Sequence, residues 1–334
     1  MNTQLFIVIV NFNGYLDTIE CLESIFKQAE SKYKILVVDN SNSFDDIEKI
    51  RQWADGDFEE DLKTDYPEYI YPLASKPLDY LIVNQNDLTH THSNSQLLII
   101  KAKENNGFAA ANNVALKYIQ QFGGDDDLIW LLNNDTVIGK NTISQIKNKI
   151  STLKKGLYLF GTPLMEYYKK NEIQAIGGRY NKFIGLTYHV GEGIIYNNNI
   201  DPAKYNIDYP IGASIILTND CLKKIGLMNE EYFLFYEEID WMKRLGQLGG
   251  ELKILNIFEV YHKQGKATQT KTKGSQKSEF IDILINKNRL KYARKYNRKN
   301  LLFVYLTTIF IAFNRIRKRE FKRAMKILRL TLEH

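Results

Sequence analysis

The residues able to do chemistry recur at the ends of predicted strands. Asn11-Phe12-Asn13-Gly14, Asp39-Asn40-Ser41, Glu104-Asn105-Asn106-Gly107-Phe108 and Asn133-Asn134-Asp135-Thr136 each follow an apolar run. Later, residues 233–241 read FLFYEEIDW and place Glu237, Glu238 and Asp240 at the start of a predicted helix, where the helix dipole favours anions. A lone imidazole, His262, follows a late strand. A carboxylate poised at a hydroxyl is a general base, and amides and hydroxyls orient polar ligands. Taken singly, each strand-end group reads as a turn or helix cap. Four in series on one sheet edge read as a ligand crevice, because open α/β sheets bind ligands beyond the carboxyl ends of their strands.

The elements that must position these residues follow from hydrophobic periodicity. Strands are predicted at 5–11, 34–38, 97–100 and 128–132, with helices at 14–28, 45–53 (N-capped by Ser43) and 108–122. Strands alternating with helices imply a mostly parallel, Rossmann-like central sheet with flanking helices, an α/β fold. The polar stretch 58–95 reads as an insertion or irregular linker with one apolar patch at 80–83. Beyond it, strands are expected at 158–164, 174–180, 214–217 and 252–261, helices at 219–225 and 237–248, and a helical pattern from Gln276 onward.

Composition bounds the class. Apolar residues make up 44% and charged residues 25%, as in a folded globular chain. The two cysteines cannot build a disulfide framework or a four-cysteine zinc site, which suits a reducing compartment. The opening MNTQLFIVIVN lacks a basic region before its apolar run and reads as a strand, not a signal peptide. The net charge of +6 is uneven: residues 287–334 hold 15 Lys and Arg against two Glu, or +13, and the rest of the chain carries −7. Leu332, Glu333 and His334 look like a tag remnant.

Together VIVNFNG, ILVVDNS, ENNGFAAANN, WLLNNDT, IGASIIL, FLFYEEIDW and VYHKQG resemble the inverting glycosyltransferases of family 2, most of all the rhamnosyltransferase-type members, which have the GT-A fold. The resemblance runs from Leu5 to about Gly265. It implies a catalytic domain at 1–265, with a nucleotide-sugar half at about 1–136 and an acceptor half at about 137–265, followed by a helical extension at 266–331. It implies Glu238 as general base, with Glu237 and Asp240 beside it. Asp135 would match the metal-binding Asp of the family's Asp-x-Asp motif, although Asn133 replaces its first carboxylate. His262 would complete a Mn²⁺ or Mg²⁺ site. Asn11, Asn13, Asp39, Ser41, Asn106, Gly107, Phe108, Asn112 and Asn134 would line the donor site, with Asp39 on the nucleobase, favouring dTDP or UDP. Gly212, Ala213 and Trp241 would line the acceptor pocket.

The reaction expected from this resemblance is transfer of a sugar, L-rhamnose from dTDP-rhamnose first, to a glycan or polyprenyl-diphosphate-linked acceptor in cell-surface polysaccharide synthesis. A UDP-hexose or UDP-N-acetylhexosamine transferase is the alternative, and a noncatalytic nucleotide-sugar-binding scaffold the alternative of another class. The basic tail around LLFVYLTTIFIAF (301–313) suits an anionic membrane surface or a subunit contact, hence a cytoplasmic protein peripheral on the inner face of the plasma membrane, or a homo-oligomer. Long apolar runs among the charges speak against nucleic acid.

Overall fold

A computed structural model describes residues 3–30, 32–264 and 278–332. Gly265, Gln276 and the last two residues of the expected tag lie outside the described residues. The β-branched run Leu5–Asn11 forms β1, buried on both faces, and α1 (Tyr15–Phe26) turns Ile19, Leu22 and Ile25 inward. There follow β2 (Tyr33–Asp39), α2 (Asp45–Asp55), the short α3 (Pro67–Ile70), β3 (Tyr80–Asn84), β4 (Leu97–Lys101), α4 (Gly107–Phe122), β5 (Leu128–Leu132), β6 (Thr136–Ile138) and α5 (Thr142–Ser151). The second half comprises β7 (Tyr158–Gly161), β8 (Leu164–Glu166), β9 (Ile173–Ala175), β10 (Gly177–Asn181), β11 (Leu186–Val190), β12 (Ser214–Thr218), α6 (Asn219–Ile225), α7 (Glu237–Gln247), β13 (Glu251–Ile254) and β14 (Val260–His262).

The central sheet has the order β13-β7-β12-β5-β1-β2-β4-β3. Strands β5, β1, β2, β4 and β3 are parallel, and β12 runs antiparallel to both β5 and β7. Ile7, Ile9 and Val37 pack under α1 and α2; Val8, Leu36 and Val38 face the layer of α4, α6 and α7. A second sheet, β6-β14-β8-β9, sits beside the first.

Five expectations change. The stretch 58–95 is built into the domain: Leu62, Tyr66 and Ile70 are buried, and β3 extends the sheet beside β4. Its anchors are spaced among polar residues, so no period shows. Each expected strand at 158–164, 174–180 and 252–261 splits into two, β7/β8, β9/β10 and β13/β14, because the chain leaves one sheet and enters another. Ser43 does not cap α2; Phe44 occupies the N-cap, without a side-chain hydrogen bond.

The C-terminal region is a packed helical unit of α8 (Glu279–Tyr296), α9 (Leu301–Arg317) and α10 (Phe321–Arg329). Arg315 bonds both oxygens of Asp282 at 2.8 and 3.0 Å, and Arg323 reaches the same carboxylate at 2.7 Å. Among the described residues no helix is long and apolar enough to cross a membrane.

Candidate active site

Sheet order reverses between β1 and β5, and the predicted strand-end residues gather at that switch point. Asn11, at the end of β1, is buried and donates its Nδ2 to Asp39 and Asp46 at 2.7 Å each, while its side-chain Oδ1 accepts from Thr18 Oγ1 at 2.7 Å. Asp39 is also fully buried. It pairs with Lys101 Nζ at 2.7 Å and accepts from Ser41 Oγ at 2.8 Å. These internal partners engage its carboxylate in this structure. Lys101 is a residue the sequence reading missed; its one signal is a cation closing an otherwise apolar strand, LLIIK. Exposed Asn13 donates its backbone N–H to Ser41 Oγ at 2.9 Å, and Asn134 donates to Thr18 Oγ1 at 3.0 Å.

Next to this network lies a two-residue corner. Asp135 Oδ1 stands 3.1 Å from His262 Nε2, because β6 and β14 pair antiparallel with His262 opposite Thr136. Asp135 is therefore followed by a strand, and it caps no helix. Gln174 donates to the His262 carbonyl at 3.1 Å, which aims its Oε1 at Nδ1, 2.6 Å away. That arrangement fixes the ring orientation and turns Nε2 toward the Asp135 carboxylate. Asn133 Nδ2 is 3.3 Å from the same nitrogen, and its Oδ1 is buried without a partner. Burial opposes the Asp135 charge, but His262 and then Lys263 outweigh it and hold the carboxyl below its ordinary range. Lys263 is itself paired with Asp17 at 2.5 Å and with Glu20. Carboxylate oxygen, imidazole nitrogen and an orphaned amide oxygen fit a divalent cation such as Mn²⁺. Among the described residues no third His, Cys, Asp or Glu joins the corner, so a ligand's own oxygens would complete the shell.

The carboxylate segment is held in an unusual backbone. Phe233, Phe235 and Tyr236 have φ of 63°, 72° and 77°, the left-handed region that side chains seldom adopt. Asn288 of α8 fixes it, its Nδ2 donating to the carbonyls of Tyr232, Leu234 and Phe235 at 2.8, 2.8 and 3.0 Å. From the other side Phe108 N–H bonds Phe233 O at 2.7 Å. Gly107, at φ +93°, allows that approach, since a Cβ there would sit 2.3 Å from the same oxygen. Gly107 and Phe108 thus seat this segment over the strand-end edge. Burial, then the neighbouring Glu238, pushes the Glu237 carboxyl up to about 8, and its Oε2 has no partner. Glu238, half-buried, is pushed up to about 7 by burial, which outweighs the backbone N–H groups of Glu238 and Tyr236 that favour its charge.

The remaining predicted residues divide. Asp240 is fully buried and points away from Glu238, into Arg244 at 2.7 Å, Lys295 at 3.0 Å and Tyr296 at 2.9 Å. It ties α7 to α8. Trp241 is core: it is fully buried, with Nε1 on Gly226 O at 2.9 Å. Asn112 is buried and bonds its own helix at Phe108 O, 2.9 Å, so it faces no donor. Asn106 is exposed at the N-cap of α4 and bonds Glu104. Ala213 O accepts from Asn133 N–H at 3.0 Å, and the space a Gly212 side chain would fill is open, so both sit beside the two-residue corner. Asp125 and Asp126 pair with surface lysines at the opposite edge, and Cys21 is core.

No family model matches the chain. Its sequence is 23% identical over 263 residues to Agl10 of Haloferax volcanii, a low-salt glycan biosynthesis hexosyltransferase, covering 76% of this chain and 78% of that protein. Its structure is similar to GalNAc-T7 solved with UDP, GalNAc and Mn²⁺ (TM-score 0.52, 16% identity, 87% of this chain) and to S. aureus TarS 1–349 solved with UDP-GlcNAc (0.51, 13%, 93%). The chain spans 72% of that TarS fragment but 50% of GalNAc-T7 and 43% of a longer TarS chain. The class these likenesses define is architectural: the chain has the GT-A glycosyltransferase fold.

Proposed function

We propose that the protein is a nucleotide-sugar-dependent glycosyltransferase of inverting type. The observation that carries the reading is the Asp135–His262 pair at the switch point, beside the unpartnered Asn133 Oδ1. The likeness to a hexosyltransferase supports the same class. Asp135 and His262, with Asn133 beside them, would hold Mn²⁺ or Mg²⁺, which when bound neutralises charge on the departing diphosphate. Glu238 takes the proton of the acceptor hydroxyl as its oxygen attacks the anomeric carbon. The bond from that carbon to the diphosphate breaks on the opposite face, so configuration inverts. Glu237, whose carboxyl burial and then Glu238 push upward, would offer a hydrogen bond in place of a second charge when protonated. For the donor, L-rhamnose from dTDP-rhamnose comes first and a UDP-hexose or UDP-N-acetylhexosamine next. That order rests on the sequence motifs. The acceptor is a glycan or a polyprenyl-diphosphate-linked sugar.

Thermal unfolding with UDP, dTDP, GDP and CDP, with and without Mn²⁺, tests this. A ligand at ~100 times its dissociation constant adds about 2.7 kcal/mol. One pyrimidine diphosphate should stabilise the wild type in a Mn²⁺-dependent way, and Asp135→Ala should abolish the Mn²⁺ dependence. The absence of any shift with all four nucleotides would overturn the proposal.

A further inference from the structure

The C-terminal unit has two unlike faces. Val304, Thr308 and Ala312 of α9 are fully buried against the neighbouring helices. The other side shows Leu302, Phe303, Leu306, Ile309, Phe310 and Phe313, each 50–67% exposed. At 3.6 residues per turn they share one stripe roughly 120° wide. Phe321 and Met325 of α10 are exposed too. Isolated surface apolar residues need no explanation, but a continuous aromatic and aliphatic stripe marks a binding surface.

Charge brackets the stripe. Arg298 and Lys299 are exposed just before α9; Arg317, Lys318 and Arg319 are exposed at its end, without an ion pair among the described residues. There a cavity of about 520 Å³ opens between Ile311, Asn314, Arg315, Arg317 and Lys318. Helix α9 has 17 residues, and none of the described helices is fit to cross a bilayer. A helix with an apolar stripe and cationic ends lies in the plane of a membrane interface, its stripe in the acyl boundary and its cations on lipid phosphates. A second copy of the chain fits worse. Residues 287–334 hold two Glu against 15 cations, and Glu320 already faces Arg315 and Arg323, so paired stripes would bring like charges together.

We propose that the outer face of α9, with the basic residues at its two ends, seats the protein on an anionic phospholipid surface. The test is co-sedimentation of the full chain with vesicles of phosphatidylcholine alone or with about a third phosphatidylglycerol. The expected result is binding to the anionic vesicles at least about tenfold tighter than to the neutral ones, weakening with salt. Leu306→Glu/Phe310→Glu should lose binding to both, and Arg317→Glu/Lys318→Glu/Arg319→Glu should lose the preference for phosphatidylglycerol. All five positions are exposed, so circular dichroism should show native folding. No binding to anionic vesicles, or undiminished binding by the double variant, overturns the proposal. So does a dimer in solution that the double variant dissociates while vesicles stay unbound, which assigns the stripe to a second copy. The measurement uses neither donor nor acceptor and is independent of the proposed reaction.

Discussion

Glu238 differs from its acidic neighbours Glu237 and Asp240 in being half-buried, with its carboxyl raised to about 7. A base acts when unprotonated, so a raised value places the active form above neutrality. With Glu238 as base, kcat/KM should rise through about pH 7 and level off above it. Glu238→Gln should remove that limb and lower turnover by ~10²–10⁴-fold, with nucleotide stabilisation unchanged. Near-normal turnover by this variant would discard the assignment. Residue types made Glu238, Asp135 and His262 legible as candidates. They could not separate Glu238 from Asp240, or acceptor-lining Trp241 from core Trp241, because the side a residue faces depends on what packs against its helix. Asp39 shows the same limit: only the fold reveals that Lys101, sixty-two positions on, occupies it.

At the scale of elements, the parallel strands were legible because each is a continuous apolar run buried on both faces. The split strands were not, since leaving one sheet for another alters direction without altering hydrophobicity. Least visible was the dependence of the carboxylate segment on α8. Asn288 is one amide in a basic helix, outside every motif, yet it satisfies three carbonyls of the segment before α7. It is a positioning residue. Asn288→Ala should lower kcat tenfold or more while leaving donor KM nearly unchanged, and should cost about 1–3 kcal/mol of stability through the stranded carbonyls. Steady-state kinetics beside thermal unfolding would check both. A loss of stability with kcat intact would make the contact merely structural.

On the scale of the whole molecule, the charge asymmetry was legible and its geometry was not. The sequence divides at about Gly265 into a catalytic domain and a tail. The structure binds the two sides: Asn288 reaches the carboxylate segment, and Lys295 and Tyr296 complete the surroundings of Asp240. A chain ending before Glu279 would leave Asp240 with Arg244 and Tyr232 only, and the Phe233–Tyr236 backbone without the Asn288 clamp. Such a chain is expected to be inactive even toward a water-soluble acceptor. The α9 double variant, which alters only the outer stripe, should keep that activity. Assaying both on a soluble acceptor separates the two roles, and normal turnover by the shortened chain would show that α8 contributes only attachment.

The backbone at Phe233, Phe235 and Tyr236 has one more consequence. Each side-chain-bearing residue held in the left-handed region costs roughly 1–2 kcal/mol relative to its relaxed form. Glycine would relieve that strain and also multiply the shapes open to the segment. Stability and precision are thus set against each other at these three positions. The chain keeps bulky aromatics where flexibility would be easier, and a carboxylate that must meet one hydroxyl in one direction gains from having few other places to be.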